Sequence, residues 1–503
     1  MQKQDRSQLI FWLIVTASIF PAWLITAHSF PYTGLSLSFM IISTLFYFLR
    51  KPKTNFNTFV YISSLTFSFF LTIRANHLLN FFDIAATIFL TTLLISHVSE
   101  YTFLRLFAAP FEGIKAFLTT NNQFAQLGTV LEKIKEKREK SFDVTQVVVS
   151  LIISLILLGF ILPLLGSANP LFDKILQRFF NGLDLRKIFQ NITFFRLLLS
   201  GIFFVIISRL STYIYIQKPS FVKDQKSHIT DAALLLPKIL IALVIAIFAV
   251  TQFQLYFADP GLLKTLGYTN SKLVNEVFGQ LSIVSLIVFG LIYNGRGKSK
   301  ISKILDCILI SEGILLTFVG LKSDYDYSAL HGFTQKRLYG FAIVFWIFGT
   351  YLFYITNIVK QLKSTVFVSR FIIFSCFTLL AINVLNFDYL IYHVNKATVN
   401  NKVDYYYLSS LSPDAGHYKD AALFLQRMTN EHGEEMDSWP QGGDFYSYSI
   451  IFPIQDLQRK YKTIDFRTFN VSEYKAYLSI KDIHLPQITS TYSPYTQPEV
   501  PRD

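Results

Sequence analysis

The sequence has little cysteine, and its histidines are scattered. Only Cys307 and Cys376 occur in 503 residues, and both lie within apolar runs. This excludes a disulfide framework for the water-exposed parts. None of the nine histidines shows paired ligand spacing such as H-E-x-x-H. The sequence therefore predicts no metal site and no cofactor, and it contains no catalytic or nucleic-acid-binding motif.

Charge is also scarce for a chain of this length. Charged residues make up 16% of the sequence, whereas 52% is hydrophobic and the mean hydropathy is +0.40. A soluble domain would struggle to bury so much apolar surface, but a bilayer accepts it. The composition predicts an all-α fold, a polytopic helical membrane bundle.

Apolar runs long enough to cross roughly 30 Å of hydrocarbon recur from residue 9 to residue 385. The first run has bulky Ile25 where a signal peptidase needs a small residue, so we expect a retained span. The windows predict about eleven spans, with ten and twelve as the nearest alternatives. They lie at 9–27, 34–49, 56–73, 81–98, 144–165, 195–215, 232–256, 277–293, 304–321, 339–357 and 367–385.

Lysine and arginine orient this bundle, because they are retained in cytoplasmic loops. With the N-terminus inside, the inside segments hold 21 of these residues and the outside loops hold 10. The segment after residue 385 has 11 basic and 15 acidic residues. We therefore expect a cytoplasmic N-terminus, a C-terminal tail outside, and basic loops in contact with anionic lipid headgroups.

Polarity divides the chain into five regions. These are a four-span region (1–98), a charged cytoplasmic loop (99–143), a seven-span membrane core (144–385), a helical cap (386–485) and a disordered tail (486–503). The cap prediction rests on helical spacing of apolar residues in 414–428 and 471–480, with a Gly- and Pro-containing loop at 438–449 between them. The segment 170–189 is amphipathic and predicts a helix in the outer interface.

Ionisable groups inside spans are costly, so each one suggests a function. Glu312 lies near the middle of "ILDCILISEGILLTFVGL", with Ser311 beside it and Asp306 six residues earlier. A carboxylate in this position could carry a proton or bind a cation. A protonated or hydrogen-bonded structural carboxyl is the alternative.

Four stretches resemble a known family. They are "LGYTNSKLVNEVFGQL" (266–281), "YSALHGFTQKRLYGFAIVFW" (327–346), "NFDYLIYHVNKATVNNKVDYYYLSSLSPDA" (386–415) and "DFRTFNVSEYKAYL" (465–478). They are similar, in the same order, to segments of bacterial multi-pass membrane proteins known as a domain of unknown function, the 4153/4173 group. The resemblance implies a fold and a location in the bacterial cytoplasmic (plasma) membrane. It implies no activity.

Two departures from the family pattern concern basic residues. This chain reads "KSDYDYS" where relatives tend to have an arginine before the tyrosine, and "NSKLVNE" lacks the usual basic residue before the phenylalanine. Any role of those basic groups is therefore in question in this chain.

The segment "LKSDYDYSALHGFTQKR" (321–337) is predicted to be an outer loop rich in charge. It is our first choice for an outer binding surface, with Asp324, Asp326, His331, Lys336 and Arg337 as candidates.

The stretch "DYYYLSSLSPDA" (404–415) follows the last span by about 20 residues. Its tyrosines can lie at the headgroup level, where amphipathic rings are favoured. We expect it to dock the cap onto the membrane domain, with ligand binding as the alternative. The residues concerned are Asp404, Tyr407, Leu408, Ser412 and Asp414.

Three functions remain compatible with the sequence. The first is a non-catalytic envelope component whose outer cap binds partners. The second is a transporter or channel that uses Glu312, and the third is a membrane enzyme acting on a lipid-linked substrate. The oligomeric state does not follow from the sequence.

Overall fold

The computed structural model describes residues 3–27, 29–50, 53–95, 192–216, 238–243, 245–246, 284–285, 288–290, 292–293, 300–360, 362, 364–399, 402–432 and 443–483. The predicted charged loop (99–143), the span at 144–165, the interfacial helix at 170–189 and the tail (486–503) lie outside these residues. The spans predicted at 232–256 and 277–293 are described at a few positions only.

The described residues are almost entirely helical. The α-helices are α1 (Lys3–Ile25), α2 (Tyr32–Leu49), α3 (Asn55–Ile73), α4 (His77–Ile95), α5 (Ile192–Ile216), α6 (Lys300–His331), α7 (Gln335–Val359), α8 (Ser364–Leu385), α9 (Phe387–His393), α10 (Tyr405–Ser409), α11 (Tyr418–His432), α12 (Gly443–Lys462) and α13 (Val471–Ile480). Short 3₁₀ turns occupy Pro413–Ala415 and Phe466–Thr468. A small antiparallel hairpin pairs β1 (Thr398–Val399) with β2 (Lys402–Val403).

Seven of these helices are long and apolar enough to cross a membrane, so the chain is a multi-pass membrane protein. Each one overlaps a span that the sequence predicts. The segments are Tyr32–Leu49, Asn55–Ile73, His77–Ile95, Arg196–Ile214, Lys300–Lys322, Gln335–Val359 and Thr365–His393. The apolar part of α1, Leu9–Ile25, is shorter. The total of about eleven spans stays a prediction.

Short connections make successive helices antiparallel. Several helix termini therefore lie at the same end of the bundle. α3 and α4 are joined through Arg74–Asn76, and α6 and α7 through Gly332–Thr334. Arg196, near the start of α5, donates from Nε to Thr26 Oγ1 at 2.8 Å, just past the end of α1. This end of the bundle therefore presents both free carbonyls and free N–H groups of helix termini.

The segment predicted to be an outer loop is mostly helix. α6 continues through His331, and the turn to α7 is only three residues long. At 1.5 Å per residue, a helix of 32 residues spans about 48 Å. Its last turns therefore extend beyond its apolar part. Gly332 ends the helix with a positive φ of 73°, a conformation that glycine adopts without strain.

The three helices α11, α12 and α13 pack around one small core, and we call residues 418–480 the C-terminal unit. Apolar residues spaced three or four apart face inward from each helix. These include Ala421 and Leu425 of α11, Ile451, Ile454, Leu457 and Tyr461 of α12, and Ala476 and Ile480 of α13.

The structure differs from the sequence reading at 438–449, which was predicted to be a loop. Residues 443–449 lie in α12, which continues through Pro453 to Lys462. The buried spacing of Ile451, Ile454 and Leu457 explains why packing outweighs the Gly and Pro signal in this segment.

Candidate functional site

The C-terminal unit completes the hydrogen bonding of helix ends in the membrane bundle. Arg467 donates from its guanidinium to the carbonyls of Thr26 (2.7 Å) and Trp23 (3.3 Å), at the end of α1. Asn470 donates from Nδ2 to the carbonyls of Arg74 (2.8 Å) and Leu71 (3.2 Å), at the end of α3. Such terminal carbonyls have no partner within their own helix. The two contacts therefore hold the unit against two helix ends at once.

Asp414 makes the complementary contact with a helix start. Its Oδ2 accepts from the backbone N–H groups of Ala75 (2.8 Å) and Asn76 (2.9 Å), just before α4. A carboxylate in this position is favoured by the free N–H groups and by the helix dipole. Arg74 Nη1 lies 3.8 Å from Asp414 Oδ1. Asp414 thus links the segment before α11 to the α3–α4 turn.

A second buried carboxylate, Asp388, joins three separate segments. Its Oδ2 accepts from Asn76 Nδ2 at 2.9 Å and from the hydroxyl and backbone N–H of Ser412, and its Oδ1 accepts from Gln335 Nε2 at 2.6 Å. The Ser412 hydroxyl also lies 3.2 Å from Asp414 Oδ2. The two carboxylates therefore share one serine and belong to one network.

Tyr407 and Leu408 of the predicted docking stretch lie against α7. Tyr407 accepts at its hydroxyl from the backbone N–H of Gln335 at 2.6 Å, the first residue of α7. Leu408 is buried in an apolar cluster with Leu338, Phe387 and Leu411. Asp404 instead caps its own short helix, because its Oδ1 accepts from Tyr407 N at 2.9 Å.

Burial shifts the pKa values in this region. The pKa of Asp414 is raised by loss of hydration, and the hydrogen bonds it accepts and Arg74 oppose that rise. Burial raises the pKa of Tyr407 to about 12. The ring of His417, which is buried between Tyr392 and Tyr418, has a pKa lowered to about 4 by burial. Tyr407 and His417 are therefore neutral at pH 7.

A cavity of about 610 Å³ lies between the C-terminal unit and the starts of α2, α4 and α7. Its volume falls in the range of ordinary ligand sites. Polar groups converge on it beside the rings of Tyr32 and Tyr418, and they include Asn76, Gln335, Ser412 and Lys460. Lys460 is held by an ion pair with Glu473 and lies 4.9 Å from the centre of the Tyr32 ring. A second cavity of about 630 Å³ shares Ser29, Asp456 and Lys460 with the first.

The candidates from 321–337 whose side chains the structure describes do not form one surface cluster. Asp324 is buried on α6, and burial raises its pKa to about 7 while Arg337 opposes the rise. Asp326 lies on the same helix and His331 in its last turn. Lys336 is exposed, whereas Arg337 donates to the carbonyl of Gly332 across the turn.

The intramembrane candidates separate onto different faces of α6. Glu312 and the exposed Ser311 line a surface groove of about 460 Å³ together with Cys307. Asp306, six residues earlier and about 120° away around the helix, pairs with Lys238 at 2.6 Å. Lys238 also donates to Ser302 at 3.1 Å. Lys238 is fully buried.

Sequence reasoning missed most partners of the docking stretch. Arg74, Asn76 and Asp388 each belong to the network around Asp414. Asp388 and its neighbour Asn386 were present in the quoted family stretch, so a signal existed for them. Arg74 and Asn76 lie in a short polar turn between two spans, and that pattern alone does not indicate a partner more than 300 residues away.

Comparison with known families agrees with the resemblance seen in the sequence. The model of the family described as "Domain of unknown function (DUF4153)" matches residues 59–421. That range includes three of the four stretches that carry the resemblance. No curated protein and no solved structure matches the chain.

Proposed function

The chain belongs to the family described as Domain of unknown function (DUF4153), and on that premise we propose that it is a non-catalytic component of the bacterial envelope. In this proposal the protein spans the cytoplasmic membrane, and the C-terminal unit is an extracytoplasmic cap. The cap binds another envelope component at the cavity that it forms with the bundle.

One observation carries the proposal. Side chains from 407–470 satisfy the free backbone groups at the ends of α1 and α3 and at the starts of α4 and α7. Arg467 and Asn470 tie the C-terminal unit to two of these ends. Asp414 and Tyr407 tie the segment before it to the other two, so the cavity walls are held in a fixed arrangement. Preformed cavities reduce the entropy lost on binding.

Charge supports the location of the cap. The cap contacts the end of α1, and the excess of basic residues predicts that the N-terminus and the start of α1 face the cytoplasm. The end of α1, and the cap with it, then lies outside. Basic residues such as Lys53, after α2, would face the cytoplasm.

Site-specific photocrosslinking in native membranes tests the proposal. A photoreactive residue at Ser410, which is exposed and lines the cavity, is expected to give a discrete adduct, and one at Lys53 should not give that adduct. The adduct should also disappear when Asp414→Ala is combined with the Ser410 probe. An adduct that forms equally from Lys53, or no adduct from Ser410, would contradict partner binding at the cap.

A transporter or channel is the second candidate, because Glu312 Oε2 is buried and has no hydrogen-bond partner among the described residues. It lines the groove on α6 described above. Full rescue of a deletion phenotype by Glu312→Gln would exclude this candidate, whereas loss of function with normal membrane levels would favour it.

A further inference from the structure

The cavity of about 610 Å³ lies at the level where three membrane-spanning segments begin. Its lining includes the first residue of each of the spans Tyr32–Leu49, His77–Ile95 and Gln335–Val359. A span begins where the hydrocarbon of the bilayer ends, and lipid headgroups occupy the next layer. The cavity is therefore at the depth of the headgroups, between the bundle and the C-terminal unit.

An exposed apolar face of α4 leads from this cavity along the bundle. Leu78 lines the cavity, and Phe81, Ala85 and Ile88 follow it at spacings of three and four residues. All four residues are exposed, so they form one outward face of the helix. Within a bilayer, such a face contacts acyl chains. An amphiphile whose polar end enters the cavity can therefore lay its apolar end along α4.

The polar part of the site lies where the two cavities meet, on α12. Both cavities are lined by Ser29, Asp456 and Lys460, and the second adds Arg459 and Thr463. Asp456 and Arg459 are three residues apart on α12, so their side chains project from neighbouring positions. A carboxylate, a guanidinium and hydroxyl groups are thus available at one place.

Ion pairing selects two of these charged groups. Lys460 is held in the ion pair described above, and Asp465 of the second cavity pairs with Arg467 at 2.6 Å. Asp456 and Arg459 are both exposed, and neither forms an ion pair with another described residue. One negative and one positive side chain can therefore contact a ligand directly.

We propose that this site binds a phospholipid with a phosphoethanolamine headgroup. Arg459 donates to the phosphate, together with the hydroxyls of Ser29 and Thr463, because a guanidinium matches the geometry of phosphate oxygens. Asp456 accepts from the ammonium group. The acyl chains lie along the exposed face of α4.

The headgroup fits the two charges in both sign and spacing. Two methylene groups separate its phosphate from its amine, and Cβ atoms three residues apart on a helix are about 5–6 Å apart. An anionic headgroup without an amine would offer Asp456 no partner and would be repelled by it. The inference rests on the proposed function, because it names the envelope component that the cavity binds.

Native mass spectrometry of the purified full chain in detergent tests the site. Delipidated protein is titrated with dioleoyl phosphatidylethanolamine and, in parallel, with dioleoyl phosphatidylglycerol, which has the same acyl chains and phosphate but no amine. We expect one phosphatidylethanolamine per chain, with an affinity about fivefold higher than that for phosphatidylglycerol, the size expected of one exposed ion pair. Free phosphoethanolamine should not compete, because it has no acyl chains.

Variants assign the two ends of the headgroup. Asp456→Asn should lower the affinity for phosphatidylethanolamine to that for phosphatidylglycerol, whereas Arg459→Gln should weaken the binding of both lipids. Lys475→Gln and Asp482→Asn are the matched controls, because they change exposed charges on and just after α13, outside both cavities. Both controls should leave the two affinities unchanged.

Three results would overturn the inference. They are equal affinities of the wild type for the two lipids, a preference that survives Asp456→Asn, and competition by free phosphoethanolamine. The photocrosslinking experiment separates this inference from the proposed function. A Ser410 adduct with a protein, combined with equal lipid affinities, would refute lipid binding and leave partner binding at the cap standing.

Discussion

At the scale of single residues, the account depends on buried polar groups that act on backbone atoms of distant helices. Asp414 accepts two backbone N–H bonds before α4, and Asn470 and Arg467 donate to carbonyls at the ends of α3 and α1. Each replaces water that a helix end would otherwise need. Substitution of one such residue should therefore affect both the cap and the bundle.

Asp414→Ala is expected to lower stability by about 3 kcal/mol, because it leaves two N–H groups and Arg74 without their buried partner. Asp414→Asn keeps one acceptor oxygen and should cost less. The melting temperature of the purified protein and the rate of proteolysis after residue 415 measure both effects. Asp482→Ala, at an exposed aspartate, is the control. Equal effects of Asp414→Ala and Asp482→Ala would contradict the role of Asp414.

Asp324 should make stability depend on pH. Its folded pKa of about 7 is above its value of about 4 in an unfolded chain, because burial disfavours the charged form. The folded state then binds more protons than the unfolded state between these values, so stability falls as pH rises from about 4 to about 7. Asp324→Asn removes the titrating carboxyl, so the variant should not lose stability in this way as the pH rises. Its melting temperature should exceed that of the wild type by more at pH 8 than at pH 5, and a difference independent of pH would refute the shift.

At the scale of elements, apolar periodicity predicts that a helix is present more reliably than it predicts the residues at which the helix begins and ends. Seven predicted spans coincide with observed helices, because about 20 apolar residues in a bilayer allow few alternatives. The end of α6 was missed because its last ten residues are polar, yet they continue the helix to Gly332. The start of α12 was missed because Pro440, Gly442 and Gly443 suggested a loop at 438–449, whereas contacts with α11 and α13 stabilise a helix. Contacts between segments far apart in sequence were not predictable from local pattern.

The turn between α6 and α7 offers a direct test of backbone strain. A Cβ at Gly332 would lie 2.0 Å from the carbonyl oxygen of Lys396, in addition to the cost of a positive φ. Gly416 has nearly the same φ, but a Cβ there would meet only His393 Nε2 at 3.8 Å. Gly416→Ala should therefore cost about 1 kcal/mol, and Gly332→Ala clearly more. Equal losses in melting temperature would show that the close contact at Gly332 is unimportant.

At the scale of the whole molecule, the C-terminal unit and the bundle form one hydrogen-bonded structure. The cavity of about 610 Å³ exists only because segments from both parts line it. The candidate docking residues were predictable as a group, since a polar, tyrosine-rich stretch follows the last span. Their partners were not, because Arg74 and Asp414 are brought together only by the fold.

The central claim, an extracytoplasmic cap docked on the bundle, can be tested by cysteine labelling in intact cells. The chain has only Cys307 and Cys376, so a cysteine-free background needs two substitutions. Single cysteines are then placed at the exposed Asp482 in the cap and at the exposed Lys53 at the opposite end of the bundle. A membrane-impermeant maleimide should label Asp482→Cys in intact cells and Lys53→Cys only after lysis. Labelling of Lys53→Cys but not Asp482→Cys in intact cells would contradict the account.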